Sequence, residues 1–172
     1  MLFRSNGDIP AAMAALRRVC ALASDDSRSR MEYAVWAKEQ GRWTDVAEVL
    51  DDVNLIDPFI PDSHLLLGDA LRRTRPQDQA ALTRALDEYQ AALDLKATWK
   101  AGALLGQAVC LDGLGRKEEA LAKATAALDD DPDLAEAREV KTRLEATMPA
   151  PAPPATPAPT PAPTPAPGTR PR

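Results

Sequence analysis

Residues 101–134 read AGALLGQAVCLDGLGRKEEALAKATAALDDDPDL, and this stretch decides the fold of the chain. Apolar side chains recur in each half at i, i+4 and i+7, namely Leu104, Ala108 and Leu111, then Ala120, Ala124 and Ala127. This spacing gives each half one apolar helical face. Gly115 separates the halves, and Pro132 follows the second. The stretch therefore predicts two short helices in an antiparallel hairpin, with small alanines that allow a close approach.

The preceding residues repeat the second of these helices. Pairs of similar residues lie 34 positions apart, namely Gly7 and Gly41, Ala12 and Val46, Leu16 and Leu50, and Val19 and Val53. The next step, to Ala85, Tyr89 and Ala92, is 39 residues, and the last is 35. A fixed period of this length is typical of stacked repeats. The long step predicts an insertion of about five residues at RPQDQ, residues 75–79, where Pro76 ends one helix and can open the next.

Three motifs share one register along the chain: GRWTDVAEVLDDVNLIDP at 41–58, LLLGDAL at 65–71, and GRKEEALAKATAALDDDP at 115–132. In this register the chain resembles the tetratricopeptide repeat, a 34-residue helix-turn-helix unit that stacks into a right-handed superhelix. The resemblance covers nearly all of residues 7–147 and implies an all-α solenoid. Some residues depart from the pattern: Ser24 and Ala97 replace closing prolines, and Gln107 and Lys141 replace large apolar residues.

The register divides the chain into a helical domain, residues 1–148, and a tail, residues 149–172. Within the domain we expect a partial repeat at 1–26, repeats at 27–60, 61–100 and 101–134, and a capping helix at 135–147 with charged residues on its outer side. The tail contains 11 of the 16 prolines with mostly Ala and Thr between them. Proline lacks the amide donor that helices and sheets need, so the tail is predicted to be disordered and extended.

Charge and composition exclude several classes of function. All 26 acidic residues but only 19 of the 21 Lys and Arg residues precede the tail, so the domain carries a formal charge of −7. This balance disfavours nucleic-acid binding. No apolar run approaches the ~18 residues that a membrane span needs. The Ala, Arg and Asp content suggests a bacterial source. No secretory signal opens the sequence, which favours the cytoplasm, whereas a truncated start would leave export open.

Candidate catalytic and ligand-binding residues are sparse. His64 is the single histidine and has no second ligand at helical spacing, so a packing or solvent-facing role is favoured over metal binding. The glycines near residue 110 follow no strand and precede no Gly-Lys-Ser/Thr, which excludes a phosphate loop. Cys20 and Cys110 each lie in an apolar helical run and are predicted to be inert buried thiols. We therefore predict no catalytic, metal or cofactor site, and no enzymatic activity.

The family resemblance implies a concave groove lined by the first helix of each repeat. Its inner positions, carried over residue by residue, include Met31, Val35, Lys38, Leu65, Asp69, Arg72, Arg73, Leu105 and Val109. The apolar members would hold the nonpolar side of a peptide, and Lys38, Arg72 and Arg73 would pair with its acidic groups. The alternative is that some of them are ordinary interhelix packing. The basic and asparagine clamp with which some family members hold chaperone tails is absent.

Two hypotheses for function follow. The first is a non-catalytic scaffold that binds a protein or peptide of unknown identity in its groove. The alternative is a C-terminal appendage that oligomerises or positions substrate for a larger bacterial enzyme, whose catalytic domain is missing here. The sequence begins inside a repeat, so the helix after it is expected to expose Met13, Leu16, Val19 and Leu22. Such an open end would invite self-association.

Overall fold

A computed structural model of the chain describes residues 9–22 and 25–147, with side chains from Ala11 onwards. The described residues form helices throughout, without strands, which confirms the all-α prediction. The helices are α1 (Ile9–Leu22), α2 (Ser27–Glu39), α3 (Trp43–Ile56), α4 (Pro61–Thr74), α5 (Gln79–Asp94), α6 (Lys100–Gly113), α7 (Lys117–Asp130) and α8 (Ala135–Thr147). The predicted disordered tail lies outside the described residues, and the division into repeats stays a prediction.

Each helix packs antiparallel against the next one along the chain, as in a stack of hairpins. We call α2, α4, α6 and α8 the first helices, and α1, α3, α5 and α7 the second helices. α4 also packs on α6, and α6 on α8, whereas the second helices in the described residues make no comparably extensive contacts with one another. The stack therefore curves with the first helices on its inner side. We call their solvent-facing side the inner face.

Left-handed residues end three of the helices. Gly41 after α2 has φ 68° and Gly115 after α6 has φ 77°, and the next amide in each case bonds back to the helix, as from Arg116 to the Leu111 carbonyl (2.9 Å). This is the glycine turn that the sequence predicts. After α5 the same turn is made by Lys96 with φ 63°, and the amide of Ala97 bonds to the carbonyl of Ala92 (2.8 Å). A side chain is strained in this conformation.

The predicted insertion is spread over the second hairpin rather than confined to residues 75–79. The α4–α5 connection has four residues, against three between α2 and α3, and α5 has 16 residues, against 14 in α3. Pro76 lies in this connection and does not open α5. Asp78 begins the helix instead, because its side chain accepts hydrogen bonds from the amides of Ala80 (2.9 Å) and Ala81 (3.2 Å).

Two apolar clusters form the interior, one contributed mainly by α2 to α5 and the other by α6, α7 and α8. The six stripe residues that predict the hairpin at 101–134 are all buried. Gln107, which departs from the repeat pattern, is also buried. Its Nε2 donates to Gln90 (3.2 Å), but its Oε1 has no hydrogen-bond partner in the described part of the chain. The second cluster thus contains an unpaired polar atom, which costs stability.

The helices α8 and α1 bear on the predictions of a capping helix and of an exposed apolar end. α8 buries Ala137, Val140 and Leu144 and exposes most of its charged residues. On α1, Val19 and Leu22 are exposed as expected, but Leu16 is half-buried and Met13 is buried, because both pack on the first cluster. The apolar surface at this end is therefore smaller than the sequence predicts. Self-association through it stays a prediction.

The strained turn after α5 gives a test of this architecture. Lys96→Gly should raise the free energy of unfolding by about 0.5–1 kcal/mol, since glycine adopts a positive φ without steric cost. The matched control is Gly115→Ala, which places a side chain in the same conformation and should lower it by a similar amount. Urea unfolding of the three proteins measures both values. Destabilisation by Lys96→Gly would show that Lys96 is not strained.

Candidate functional site

One tyrosine holds α4 and α6 together below the inner face. Tyr89 on α5 is fully buried, and its ring lies against Gly68 of α4 and Gly106 of α6. A Cβ at Gly68 would lie 2.9 Å from the ring, and one at Gly106 would overlap it. Both positions therefore need glycine for the ring to fit. The ring fills the space between three helices and directs its hydroxyl toward α4.

The tyrosine hydroxyl completes an ion pair on α4. Tyr89 donates to Asp69 Oδ1 (2.8 Å), and Arg72 Nε donates both to the Tyr89 oxygen (2.8 Å) and to Asp69 Oδ1 (3.1 Å). The Arg72 and Asp69 side chains are both nearly buried. Burial alone would lower the pKa of Arg72, but the neighbouring Tyr89 and Asp69 raise it above its ordinary value. Arg72 thus stays charged, and the side of its guanidinium that carries Nε is already bonded to Tyr89 and Asp69.

Burial also shifts the neighbouring groups toward their neutral forms. It raises the pKa of Tyr89 well above its ordinary value, and the charge of Asp69 adds to this effect. Burial likewise raises the pKa of Cys110 to about 12, so its thiol stays protonated at neutral pH. Cys20 is half-buried, and burial raises its pKa too. Neither thiol has the low pKa of a reactive cysteine.

The inner face is more closed than the groove that the sequence predicts. Every residue from Ser63 to Leu71 on α4 is buried, and so is every residue from Ala101 to Ala108 on α6. Leu65, Asp69 and Leu105, which we expected to line the groove, therefore lie within the packing. The apolar pair belongs to the two interior clusters. These side chains support the inner face from below and do not reach its surface.

The predicted cations are also placed differently from the expectation. Arg72 is held by Asp69 and Tyr89, and the guanidinium of Arg73 stacks on the Trp43 ring of α3, 4.7 Å from its centroid. Lys38 is exposed and makes no ion pair with any described residue. Of the other predicted residues, Val35 is 40% exposed, and Met31 and Val109 are half-buried. The accessible apolar members thus lie on α2 and at one position of α6, and the exposed cations are Lys38 on α2 and Arg73 at the end of α4.

Two further carboxylates of the first helices have partners on neighbouring segments. Asp62 accepts hydrogen bonds from the backbone amide (3.3 Å) and hydroxyl (3.0 Å) of Thr98, and Asp112 accepts one from Arg143 of α8 (2.8 Å). Contacts with Thr98 and Arg143 join successive first helices. They also reduce the free charge that the inner face could offer to a partner.

Trp99 is an accessible residue that the sequence reasoning missed. It lies at the N-terminus of α6 with its ring against Gly102, where a Cβ would overlap it, and it is 45% exposed. The glycine three residues after the tryptophan was the available signal. Because an indole at a helix terminus offers a large flat surface, Trp99 adds an aromatic contact near the inner face.

The two clefts that we describe between helices lie on the other side of the stack. One, of about 290 Å³, runs between α1 and α3 above α2, and contains Cys20, Arg30 and Val49. The other, of about 480 Å³, lies between α3 and α5 beside the end of α4. Both are lined by side chains of mixed charge. The described residues contain no group of three metal-ligating side chains and no helix long and apolar enough to span a membrane.

Comparison with known proteins identifies the architecture. The crystal structure of MamA superposes with a TM-score of 0.72 at 19% identity, covering 83% of this chain and 80% of that one. The TPR protein YrrB, described as having an unusual peptide-binding site, gives 0.67 at 19% identity over 81% of this chain and 69% of its own. The first TPR of Spaghetti (RPAP3), bound to the HSP90 peptide SRMEEVD, gives 0.61 at 17% identity over 72% and 93%. The chain has the tetratricopeptide-repeat fold.

The likeness to these tetratricopeptide-repeat structures is one of fold, because sequence identity is low throughout. No protein-family model matches the chain, and no curated protein matches it either. The fold explains why helices of similar length alternate between an inner and an outer layer. Which residues contact a partner depends on the side chains of this chain alone.

Alkaline titration tests the buried tyrosine. Tyr33 and Tyr89 are the two tyrosines of the sequence, so Tyr33→Phe leaves Tyr89 as the sole tyrosine chromophore. A pKa that is raised in the folded state stabilises the protein below the ordinary value and loses this effect as the pH rises through the folded value. We expect no tyrosinate absorbance from this variant at about pH 10, where a free tyrosine is half-ionised, and its appearance only with unfolding at higher pH. Half-ionisation near pH 10 with the circular-dichroism spectrum intact would contradict the structure.

Proposed function

We propose that this chain is a non-catalytic scaffold that binds a segment of another protein on its inner face. The observation that carries the proposal is the accessible apolar surface of α2, where Met31 and Val35 lie one turn apart with Lys38 beside them. The fold supports this use, because the first TPR of RPAP3 is bound to a peptide in its solved structure and YrrB is described as having a peptide-binding site. The proposal keeps the groove that the sequence predicts, with fewer residues in contact with the partner.

The contact surface combines apolar side chains with the exposed cation of Lys38. Val35 and the half-buried Met31 and Val109 would take apolar side chains of the partner, and Lys38 would pair with a carboxylate next to them. Leu65, Asp69, Arg72 and Leu105 act indirectly, because they fix the helices that carry these residues. Arg73, stacked on Trp43, contributes its exposed guanidinium edge at the end of α4. The partner segment is therefore expected to be mainly apolar, with acidic groups at its ends.

Capture of a partner by matched variants tests the surface. The full chain carries an affinity tag and is compared with Val35→Asp and Leu55→Asp. Both replace an exposed aliphatic residue, and Leu55 lies on α3, away from the inner face. Val35→Asp should weaken capture of the specific partner about tenfold, because it places a charge in an apolar contact. Leu55→Asp should retain it. Equal capture by both variants would place the binding surface elsewhere.

The chain is predicted not to bind chaperone-tail peptides. In the family register Met31, Val35, Leu65 and Asp69 occupy the positions of the clamp, and none of these side chains offers a cation or an amide donor to a terminal carboxylate. Calorimetric titration with the peptide SRMEEVD should give no saturable heat. The first TPR of RPAP3, whose structure contains this peptide, is the positive control. A saturable heat of binding between this chain and the peptide would refute the assignment.

A further inference from the structure

His64 lies at the junction of three helices. It belongs to the first turns of α4 and is buried between Asn54 of α3 and Glu88 of α5. Its Nδ1 lies 2.7 Å from Glu88 Oε2 and 3.2 Å from Asn54 Nδ2, and its Nε2 lies 2.9 Å from the carbonyl oxygen of Pro58. The Glu88 side chain is itself only 15% exposed. Sequence reasoning assigned His64 a packing or solvent-facing role, and its polar partners now define a more specific one.

The two ring nitrogens of His64 have different hydrogen-bond partners. The Pro58 carbonyl can only accept, so the hydrogen bond at Nε2 requires a hydrogen on that nitrogen. Glu88 is an acceptor when ionised, so a hydrogen bond to it requires a second hydrogen, on Nδ1. Only the imidazolium form donates to both acceptors at once. In that form His64 joins α4 to α5 through a charge-assisted hydrogen bond.

The neutral form has a different partner already in place. When Nδ1 loses its hydrogen it becomes an acceptor, and Asn54 Nδ2 is the donor that faces it. The orientation of the Asn54 amide is set by the Ser63 hydroxyl, which donates to its Oδ1 (2.5 Å). Glu88 Oε2 would then face a lone pair at 2.7 Å, which is repulsive. Asn54 Nδ2 also donates to Glu88 Oε2 (3.2 Å), so one of its two hydrogens holds this carboxylate while the other is free to face the ring. Arg84 lies farther away, with its Nε 3.8 Å from Glu88 Oε1.

We propose that His64 is a proton-operated switch that exchanges its Nδ1 partner between Glu88 and Asn54. Protonation links α4 to α5 through Glu88, and deprotonation links the ring to Asn54 of α3 while Glu88 keeps its own hydrogen bond from Asn54. The direct link from His64 to α5 therefore exists only while the ring is protonated.

The charged groups around the ring are consistent with this exchange. Glu88 and Arg84 approach from α5, and Asp51 of α3 holds Arg84 through a salt bridge. Asn54 of α3 and the Pro58 carbonyl complete the surroundings of the ring. The switch thus acts at the contact between neighbouring hairpins. Leu65 follows directly on α4, so a shift of this helix would reach the packing below the inner face.

Nitrogen-15 NMR of the full chain tests the tautomer directly, because His64 is the single histidine of the sequence. A pH titration identifies the protonated and neutral forms of the ring, and the neutral form is expected as the Nε2–H tautomer, with Nδ1 as an acceptor. The Asn54 side-chain amide resonance is expected to shift with the same pH midpoint as the ring. An Nδ1–H tautomer in the neutral form, or an Asn54 amide that does not respond, would overturn the proposal.

A stability comparison tests the acid form. Glu88→Gln removes the carboxylate with little change in size, and Glu139→Gln makes the same change on the exposed surface of α8. Glu88→Gln should lower the folding equilibrium constant by a larger factor at a pH where NMR shows the ring protonated than at one where NMR shows it neutral, the two factors differing about threefold or more. Glu139→Gln should show no such difference. Equal factors for Glu88→Gln at the two pH values would refute the acid-form link.

Discussion

The packing of Tyr89 between Gly68 and Gly106 is the constraint on which the middle of the stack depends. A side chain at either glycine would meet the ring, so the helices α4 and α6 can approach only because both lack a Cβ there. The phenol then fills the space that this approach leaves. Its hydroxyl would be a buried unpaired group without Asp69, and Asp69 would be a buried uncompensated charge without Arg72. The two glycines, the tyrosine and the ion pair therefore depend on one another.

Close approach of the first helices decides what the molecule can offer to a partner. The same contacts that bury Leu65 and Leu105 remove them from the surface, and the same ion pair that satisfies Tyr89 occupies Arg72. A peptide that bonded to Nε of Arg72 would have to displace Tyr89 and Asp69, which costs free energy. The binding surface that we propose therefore lies on α2, where Val35 remains accessible. Rigidity in the centre and accessibility at one end arise from one packing arrangement.

The fold could be predicted because it rests on local and periodic signals. A 34-residue period, the glycine turns at Gly41 and Gly115 and the alanine stripe of α7 are each visible in the sequence and hold in the structure. The site could not be predicted to the same extent. Whether Leu65 faces solvent depends on how far α4 and α6 close, which is set by the size of residue 89 on a different helix. Likewise nothing adjacent to Arg73 in sequence indicates that Trp43 lies beneath it.

The hairpin α4–α5 combines several irregular features, and its polar groups compensate for one another. A lysine makes the left-handed turn after α5, the hairpin contains extra residues, and it buries a tyrosine in its interior and a histidine near the start of its first helix. The turn adds strain, and each buried ring takes a polar group out of water. Tyr89 and His64, however, both make hydrogen bonds across helices, and they do so from opposite halves of the hairpin. Irregular local features and hydrogen bonds between helices thus occur in the same hairpin. Such a unit is positioned by its neighbours more than by its own sequence, which makes it the part of the stack most able to respond to them.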